Sequence, residues 1–221
     1  MAVILKSNLS DNIIEYITVK IIKMEYSPGE RIIESKIAKE LNISHSPIRE
    51  ALRVLERNKL VEHIPRKGVF VTELHETYVE TLFEVVTELM VLVMKKMIKN
   101  ADDNDIEKLK NITENAMSVA EKNDKDDYYN RIIEFAFASL TAGKDKLLEQ
   151  ILFELIPSLR RILYLSFAFD ETDLLGDAAL LEEGTKAISE RNEESTEIIL
   201  RKWIAIQKSN SISGLKTGNF L

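Results

Sequence analysis

The chain has 221 residues, of which 45% are hydrophobic and 30% charged, and its formal net charge is −7. It contains no cysteine, which excludes a disulfide scaffold, a thiolate zinc site and a cysteine nucleophile. Glycine and proline number only 7 and 4, and this scarcity favours helices over a β-sandwich or barrel. No apolar run is long enough to span a bilayer and no signal peptide is recognisable, so we expect a cytoplasmic protein without a membrane partner.

The N-terminal part of the chain predicts three short helices. Apolar residues recur at helical spacing over residues 8–24, and Pro28 and Gly29 follow as helix-ending residues. A second short helix, with isoleucine and leucine every four residues, ends at Asn42. Only a few residues separate it from the third helix, so the pair forms two helices joined by a tight turn.

The third helix is amphipathic, with arginines opposite its apolar stripe. Proline is tolerated at the first helical position, so the pattern predicts Ser46 as the N-cap, Pro47 as the first residue and an end near Asn58. The apolar stripe consists of Ile48, Ala51, Leu52 and Leu55. At about 100° per residue, the opposite face carries Ser46, Arg49, Arg53 and Arg57.

After this helix, the apolar period changes from helical to alternating. Val61, Val69 and Val71 flank the sequence PRKG, which predicts a β-hairpin with Arg66, Lys67 and Gly68 at its tip. Residues 42–68 contain six basic and three acidic residues, although the chain as a whole is acidic. A local basic patch on an acidic protein indicates a polyanionic partner at one place.

From Glu76 onward, the chain shows only helical periodicity. We expect helices at about 76–99, 103–122, 127–141, 145–168 with a kink at Pro157, 172–190 and 194–209, followed by a frayed Ser/Gly-rich tail. The predicted fold class is therefore mainly α. Residues 1–75 form a winged helix-turn-helix with a small β-hairpin wing, and residues 76–221 form an all-helical bundle.

Two short helices, a basic second helix and a basic hairpin follow the layout of a DNA-binding winged helix-turn-helix. The second helix enters the major groove with its N-terminus first, arginine suits the guanine edge, and the wing reaches the backbone or minor groove. The alternative is a solvated basic face with local ion pairs to Glu50 and Glu56. The joint occurrence of turn, basic face and wing in this order favours DNA binding.

The segment PGERIIESKIAKELNISHSPIREALRVLERNKLVEHIPRKGVFV resembles the winged helix of the GntR family of bacterial transcription regulators. The family pattern contains P-G-x-x-L, a helix pair ending in R-E-A-L-x-x-L, then G-L-V and a G-x-x-V wing. The resemblance implies a homodimer that binds a palindromic double-stranded DNA operator, with a C-terminal domain that binds an effector. The helical second half resembles the all-helical (FCD-type) ligand domain of the FadR subgroup.

Carried over by position, the DNA contacts of the family fall at the start of the helix pair and in the wing. They are Ser35, Ser44, His45, Ser46, Pro47, Arg49, Arg66, Lys67 and Gly68, and the basic face adds Arg53. Two positions differ from the family, which usually has arginine at His45 and a basic or polar residue at Ser35. An imidazole cannot make the bidentate contact of a guanidinium, so the operator sequence cannot be transferred from the family.

The ligand domain of this subgroup commonly holds a divalent metal between one aspartate and three histidines. Those positions are Arg131, Phe135, Leu181 and Trp203 here. The chain has three histidines, at positions 45, 63 and 75, so no histidine lies in the second half. We therefore expect no metal and no other cofactor.

Apolar residues at these positions predict a hydrophobic or acyl-bearing effector. The candidate pocket residues are Val86, Met90, Arg131, Phe135, Arg160, Leu181 and Trp203. Arg160 and Arg161 are candidates for binding an anionic head group, or are surface residues. The alternative is a filled core without an effector, because apolar stripes on helices most often belong to a core.

The sequence has no phosphate-binding glycine loop, no G-x-S-x-G motif and no Cys–His pair, so we do not expect an enzyme. The other function class is a helical ligand carrier or interaction protein without specific DNA binding.

The first helix of the second half carries more apolar residues than one bundle needs, which predicts a homodimer. These residues are Leu82, Val85, Val86, Leu89 and Val93.

Overall fold

The computed structural model describes residues 9–168 and 172–217, and these residues are mainly helical. The helices are α1 (Leu9–Ile22), α2 (Glu34–Leu41), α3 (His45–Arg57), α4 (Glu76–Asn100), α5 (Asp103–Glu121), α6 (Lys125–Ala142), α7 (Lys146–Ala168), α8 (Leu174–Ser189) and α9 (Glu193–Thr217). The strands are β1 (Arg31–Ile32), β2 (Val61–Ile64) and β3 (Gly68–Val71). The mainly α fold with a winged N-terminal part is as predicted.

The described residues form two compact units. One contains residues 9–75 and Leu155–Arg161, and the other contains residues 76–154, 162–168 and 172–217. Leu155–Arg161 is part of α7, and no sequence pattern groups it with the N-terminal residues. The predicted division into domains 1–75 and 76–221 stays a prediction.

The core of the first unit holds α1, α2 and α3 together. Ile13, Ile17 and Ile21 of α1 are at most 1% exposed, because they recur on one face of the helix. They cluster with Ile37 of α2 and the apolar stripe of α3, whose four residues are all buried. This burial leaves the opposite, arginine-bearing face of α3 in solvent.

The wing is a three-stranded antiparallel sheet in the order β1-β3-β2. The predicted hairpin is β2 and β3, paired from Val61 with Val71 to Ile64 with Gly68. β1 was not predicted because it has only two residues, too few to show an alternating pattern. The wing sheet is joined to α3 by the backbone N–H of His63, which donates to the Glu56 carboxylate at 3.1 Å.

The predicted start of α3 was wrong by two residues. The N-cap is Ser44, and the helix begins at His45 rather than at Pro47. The first N–H groups of a helix have no acceptor within it, so a proline at the third helical position sacrifices no hydrogen bond. Proline therefore marked the first turn of this helix correctly, but not its first residue.

In the second unit, the last helix is longer than predicted. α9 continues to Thr217, so residues 209–217 are helical rather than frayed. The small residues of this segment pack closely, because Ser211 is 0% exposed and its hydroxyl donates to the Ile162 carbonyl at 3.0 Å. A Cβ on Gly214 would lie 3.2 Å from the Leu165 carbonyl oxygen. The remaining predicted tail, 218–221, lies outside the described residues.

A kink was predicted in α7, and surplus apolar residues were predicted on α4. α7 continues through Pro157 from Lys146 to Ala168, and the kink at Pro157 stays a prediction. The apolar residues of α4 were expected to exceed what the bundle needs. This was wrong for three of the five residues named: Leu82, Val86 and Val93 are buried within the unit. Among the five, Val85 alone is well exposed, at 48%.

Candidate nucleic-acid interface and apolar cavity

The structure places the predicted DNA-contacting residues at the surface of the first unit. Pro47 and Gly68 are half-buried, and the others are exposed: Ser35, Ser44, His45, Ser46, Arg49, Arg53, Arg66 and Lys67. They lie in the first turn of α2, at the start and along the outer face of α3, and at the tip of the wing. Their role in DNA binding stays a prediction.

Arg49 and His45 share an acidic neighbour that the sequence analysis did not single out. The Arg49 Nε donates to the Glu34 carboxylate at 2.8 Å, and the His45 Nδ1 lies 3.7 Å from the same oxygen. Glu34 is the first residue of α2, so the turn between α2 and α3 brings it beside the first turn of α3. The Arg49 side chain remains 65% exposed, and its guanidinium can therefore still reach a ligand in solvent.

The N-terminus of α3 lacks a side-chain cap. The Ser44 hydroxyl makes no capping hydrogen bond, and the first turn contains no acidic residue. The N–H groups of this turn and the positive end of the helix dipole are therefore directed to solvent, beside Arg49. Such an arrangement suits a phosphate oxygen.

The wing tip requires a left-handed backbone. Arg66 has φ +66° and Gly68 has φ +115°, and the Lys67 N–H donates to the Ile64 carbonyl at 3.0 Å to close the turn. A side chain at Gly68 would be strained at this φ, and its Cβ would lie 3.2 Å from Arg31 Nε. Glycine therefore allows the guanidinium of Arg31 to lie against the wing backbone.

Arg31 is a candidate contact that the sequence analysis missed. It is exposed on β1 and pairs with Phe70 of β3, which adds a third cationic side chain to the sheet that carries Arg66 and Lys67. The sequence does place a cationic residue, Arg31, directly before an apolar one, Ile32, which is the exposed–buried alternation of a strand. A two-residue strand gives too little pattern to place it on the wing.

In the second unit, helices α4, α6, α8 and α9 enclose an apolar cavity of about 100 Å³. Four of the predicted pocket residues line it, namely Met90, Phe135, Leu181 and Trp203. The other described lining residues are Val93, Met94, Met97, Ile132, Ala136, Ser139, Leu180, Gly184, Ile188, Thr196, Ile199 and Leu200. None of these described lining side chains carries a charge.

The other predicted pocket residues do not line this cavity. Val86 is buried elsewhere along α4, at 3% exposure. Arg131 is bound on its own helix by Asp127 at 3.1 Å and Glu134 at 2.6 Å. Such i,i+4 and i,i+3 pairs hold a cation along the helix surface.

The two arginines of α7 also lie outside the cavity, within the first unit. The Arg160 Nη2 is 3.7 Å from the Glu15 carboxylate. Arg161 is 1% exposed and donates to the Thr72 carbonyl at 2.8 Å and to the Thr72 hydroxyl at 3.0 Å. These two bonds hold the Arg161 guanidinium within the first unit.

The residues at the metal-ligand positions of the resembled domain do not fit a metal. Phe135, Leu181 and Trp203 all line the cavity, so the alignment by resemblance brings them together, but none offers a ligand atom. Over residues 9–168 and 172–217, no group of three His, Cys, Asp or Glu side chains is arranged to hold a metal ion.

A buried carboxylate lies beside this cavity, and the sequence analysis did not detect it. Asp177 of α8 is 6% exposed and accepts hydrogen bonds from the Tyr128 hydroxyl at 2.7 Å, from Trp203 Nε1 at 3.0 Å and from Gln207 Nε2. Burial raises the pKa of Asp177, although the three hydrogen bonds act in the opposite direction. Asp177 lies in the first turn of α8, where an acidic residue is ordinarily solvated, so its burial could not be predicted from the sequence.

The sequence predicted no membrane-spanning segment. Within the parts of the chain that the structure describes, each helix is too short or too polar to cross a bilayer.

Comparisons with known proteins place residues 9–71 in the family described as bacterial regulatory proteins, gntR family. The chain is 36% identical over 81 residues to the HTH-type transcriptional regulator YdhC of Bacillus subtilis, which is 37% of this chain and 36% of that protein. It is 25% identical over 103 residues to the HTH-type transcriptional regulator McbR of Escherichia coli, or 47% of each protein. These matches span less than half the length of either relative.

The solved structure of E. coli McbR/YncC resembles the whole fold. Its TM-score is 0.81 at 20% sequence identity, and the match covers 96% of this chain and 100% of that one. At this identity the likeness shows the fold alone: a winged helix-turn-helix followed by a helical bundle. A family of regulatory proteins also agrees with the expectation that the chain is not an enzyme. Over residues 9–71, the winged helix-turn-helix part of this chain matches the gntR family of bacterial regulatory proteins.

Proposed function

We propose that the chain is a sequence-specific DNA-binding regulator of transcription. In this proposal α3 enters the major groove, the wing contacts the backbone or minor groove, and a homodimer reads a palindromic operator. The observation that carries it is the exposed face on which Arg49 and Arg53 lie beside the uncapped first turn of α3. Guanidinium groups suit guanine edges and free helical N–H groups suit phosphates.

The homodimer is supported by a stripe of exposed apolar residues on α4. Tyr78, Val85 and Leu92 are 42%, 48% and 42% exposed and follow one another at intervals of seven residues. Residues seven apart lie on the same face of a helix, because seven residues make nearly two turns. A second copy of the same stripe is an apolar partner of matching shape, as in a twofold interface.

A small-molecule effector bound by the helical unit is the second part of the proposal. The apolar cavity favours a hydrophobic compound over a charged one, because its described lining has no charged side chain. The effector would act by binding one arrangement of the helices better than another.

The other candidate function is a helical ligand carrier whose basic patch is incidental. One observation favours it: the Arg49 guanidinium is already paired with Glu34 at 2.8 Å, as on an ordinary solvated surface. The remaining exposed cations, Arg53, Arg66 and Lys67, favour the DNA-binding proposal. Salt dependence discriminates the two, since each phosphate contact releases counterions from the duplex.

The proposal is tested by selecting duplexes from a random library and measuring their affinity by fluorescence anisotropy at several salt concentrations. We expect one enriched sequence, bound on the order of a thousandfold more tightly than a scrambled duplex. Lys67→Ala should lower the magnitude of the log–log salt slope by about one, whereas Lys122→Ala, an exposed lysine of the second unit, should leave it unchanged. Failure to enrich any sequence would leave the carrier function as the better account.

A further inference from the structure

We propose that the apolar cavity binds a compact uncharged molecule, about the size of a single aromatic ring, whose one polar group pairs with the hydroxyl of Ser139. This inference rests on the effector role proposed above and narrows it to a class of ligand.

The size of the cavity sets the first limit. Its volume is about 100 Å³. Pockets for drug-sized ligands usually measure ~300–1,000 Å³, whereas an engineered apolar cavity of roughly 150 Å³ holds one benzene. The inner wall is buried: Val93, Met94 and Met97 are 1%, 3% and 2% exposed. A ring-sized molecule therefore suits the space, and a long acyl chain does not.

The polarity of the wall sets the second limit. Three of the described lining side chains carry a nitrogen or oxygen atom, and two of these are already bonded. The Thr196 hydroxyl donates to the Asn192 carbonyl at 2.6 Å, and Trp203 Nε1 donates to Asp177. Ser139 Oγ is buried and has no hydrogen-bond partner among the described residues.

The unpaired hydroxyl of Ser139 favours a ligand with one polar group. Ser139 is 4% exposed, and a buried hydroxyl without a partner is unfavourable. A helical serine can usually bond the carbonyl four residues earlier, but this bond is not formed here. A hydroxyl both donates and accepts, so an alcohol, phenol, ketone or amide on the ligand could pair with it. One such group satisfies the wall, and a second would itself be left unpaired.

Charge sets the third limit. An anion in this cavity would be buried without a cation, because none of the described lining side chains is charged. Arg131, although it lies one turn before Phe135 on α6, is held by Asp127 and Glu134. The site therefore favours neutral compounds over carboxylates, in contrast to a metal-containing or arginine-containing pocket.

Four probes test the three limits in the full-length protein. Toluene and phenol have nearly the same shape but differ in the hydroxyl, benzoate adds a charge, and octanoate adds both a chain and a charge. Binding is measured by calorimetry and, independently, by the fluorescence of Trp203, which lines the cavity and is the only tryptophan in the sequence.

We expect saturable binding of phenol about fivefold tighter than that of toluene, the size of one ordinary hydrogen bond. Ser139→Ala should abolish this difference without weakening the binding of toluene and without lowering the melting temperature of the free protein, because the unpaired hydroxyl has no bond to lose. Ala136→Leu, which adds carbon atoms to the cavity wall, should abolish the binding of both probes.

Three results would overturn the inference: equal affinity for phenol and toluene, tighter binding of benzoate or octanoate than of phenol, or no binding of any probe at millimolar concentration. Operator affinity measured without probe is independent of all three. A failure of the ligand class is therefore distinguishable from a failure of the DNA-binding proposal.

Discussion

The indole nitrogen of Trp203 donates a hydrogen bond to Asp177 Oδ2 at 3.0 Å, and the same side chain lines the apolar cavity. Asp177 also accepts from Tyr128 of α6 and from Gln207, one turn after Trp203 on α9. Gln207 in turn accepts from the Ser166 hydroxyl of α7. One polar network thus links the cavity wall to four helices, and a ligand that moves the indole ring would disturb this network.

The first prediction concerns the stability of this network. Asp177→Ala should lower the free energy of unfolding by about 3 kcal/mol, because three buried donors lose their acceptor. Asp177→Asn should retain the fold near neutral pH, since the amide of Gln207 can turn to pair with it. Chemical denaturation of both variants measures the difference, and equal losses would show that the hydrogen bonds do not matter.

The same pair of proteins predicts a pH dependence. Burial raises the pKa of Asp177 in the folded state above its unfolded value of about 3.9. The stabilisation of the wild type relative to Asp177→Asn is therefore full below about pH 4 and is lost as the pH rises through the raised pKa. A difference in unfolding free energy that instead grew with pH would contradict the direction of the shift.

The second prediction concerns the base-reading helix. Arg49→Ala should weaken operator binding by ~1–3 kcal/mol with an unchanged melting temperature, because the side chain is exposed in the first turn of α3. Anisotropy titrations with the selected duplex measure this loss. Unchanged affinity would remove Arg49 from the interface, and a similar loss in Lys122→Ala would mean that only net charge matters.

The third prediction concerns the carboxylate that holds Arg49. Glu34→Gln should tighten binding to duplex DNA by about two- to fivefold, because an exposed ion pair of modest strength no longer competes with the DNA and a negative charge is removed beside it. Titrations at constant salt test this. Weaker binding would mean that Glu34 acts instead by orienting Arg49 and His45.

The fourth prediction concerns metals. Purified protein should contain no stoichiometric transition metal, and a chelator should leave its melting temperature unchanged, because Arg131, Phe135, Leu181 and Trp203 offer no ligand set. Elemental analysis and thermal denaturation with and without chelator measure this. A bound metal whose removal lowers the melting temperature would contradict it.

The sequence was informative where a pattern had enough residues to repeat. The isoleucines of α1 and the apolar stripe of α3 predicted their helices, because an amphipathic helix exposes its period over three or more turns. The hairpin was equally readable from its valines and the PRKG turn. Within the cavity, Phe135, Leu181 and Trp203 were identified through their alignment to the resembled domain rather than through periodicity.

Features made by contacts between distant residues were not readable. Glu34 lies beside Arg49 only because the turn folds α2 against α3, and β1 has two residues. The tail around Ser211 and Gly214 has the composition of a flexible segment, but close packing keeps it helical. Asp177 and Ser139 stand out because they are buried polar residues, and the burial of a polar residue cannot be read from a single sequence.

The central claim is that two copies of the α3–wing surface read one DNA site. Hydroxyl-radical footprinting of the selected duplex, combined with light scattering of the complex, tests it most directly. We predict two protected half-sites related by an inverted repeat, centred about one helical turn apart or less, and a mass that corresponds to two chains per duplex. A single asymmetric protected half-site bound by one chain would contradict the claim.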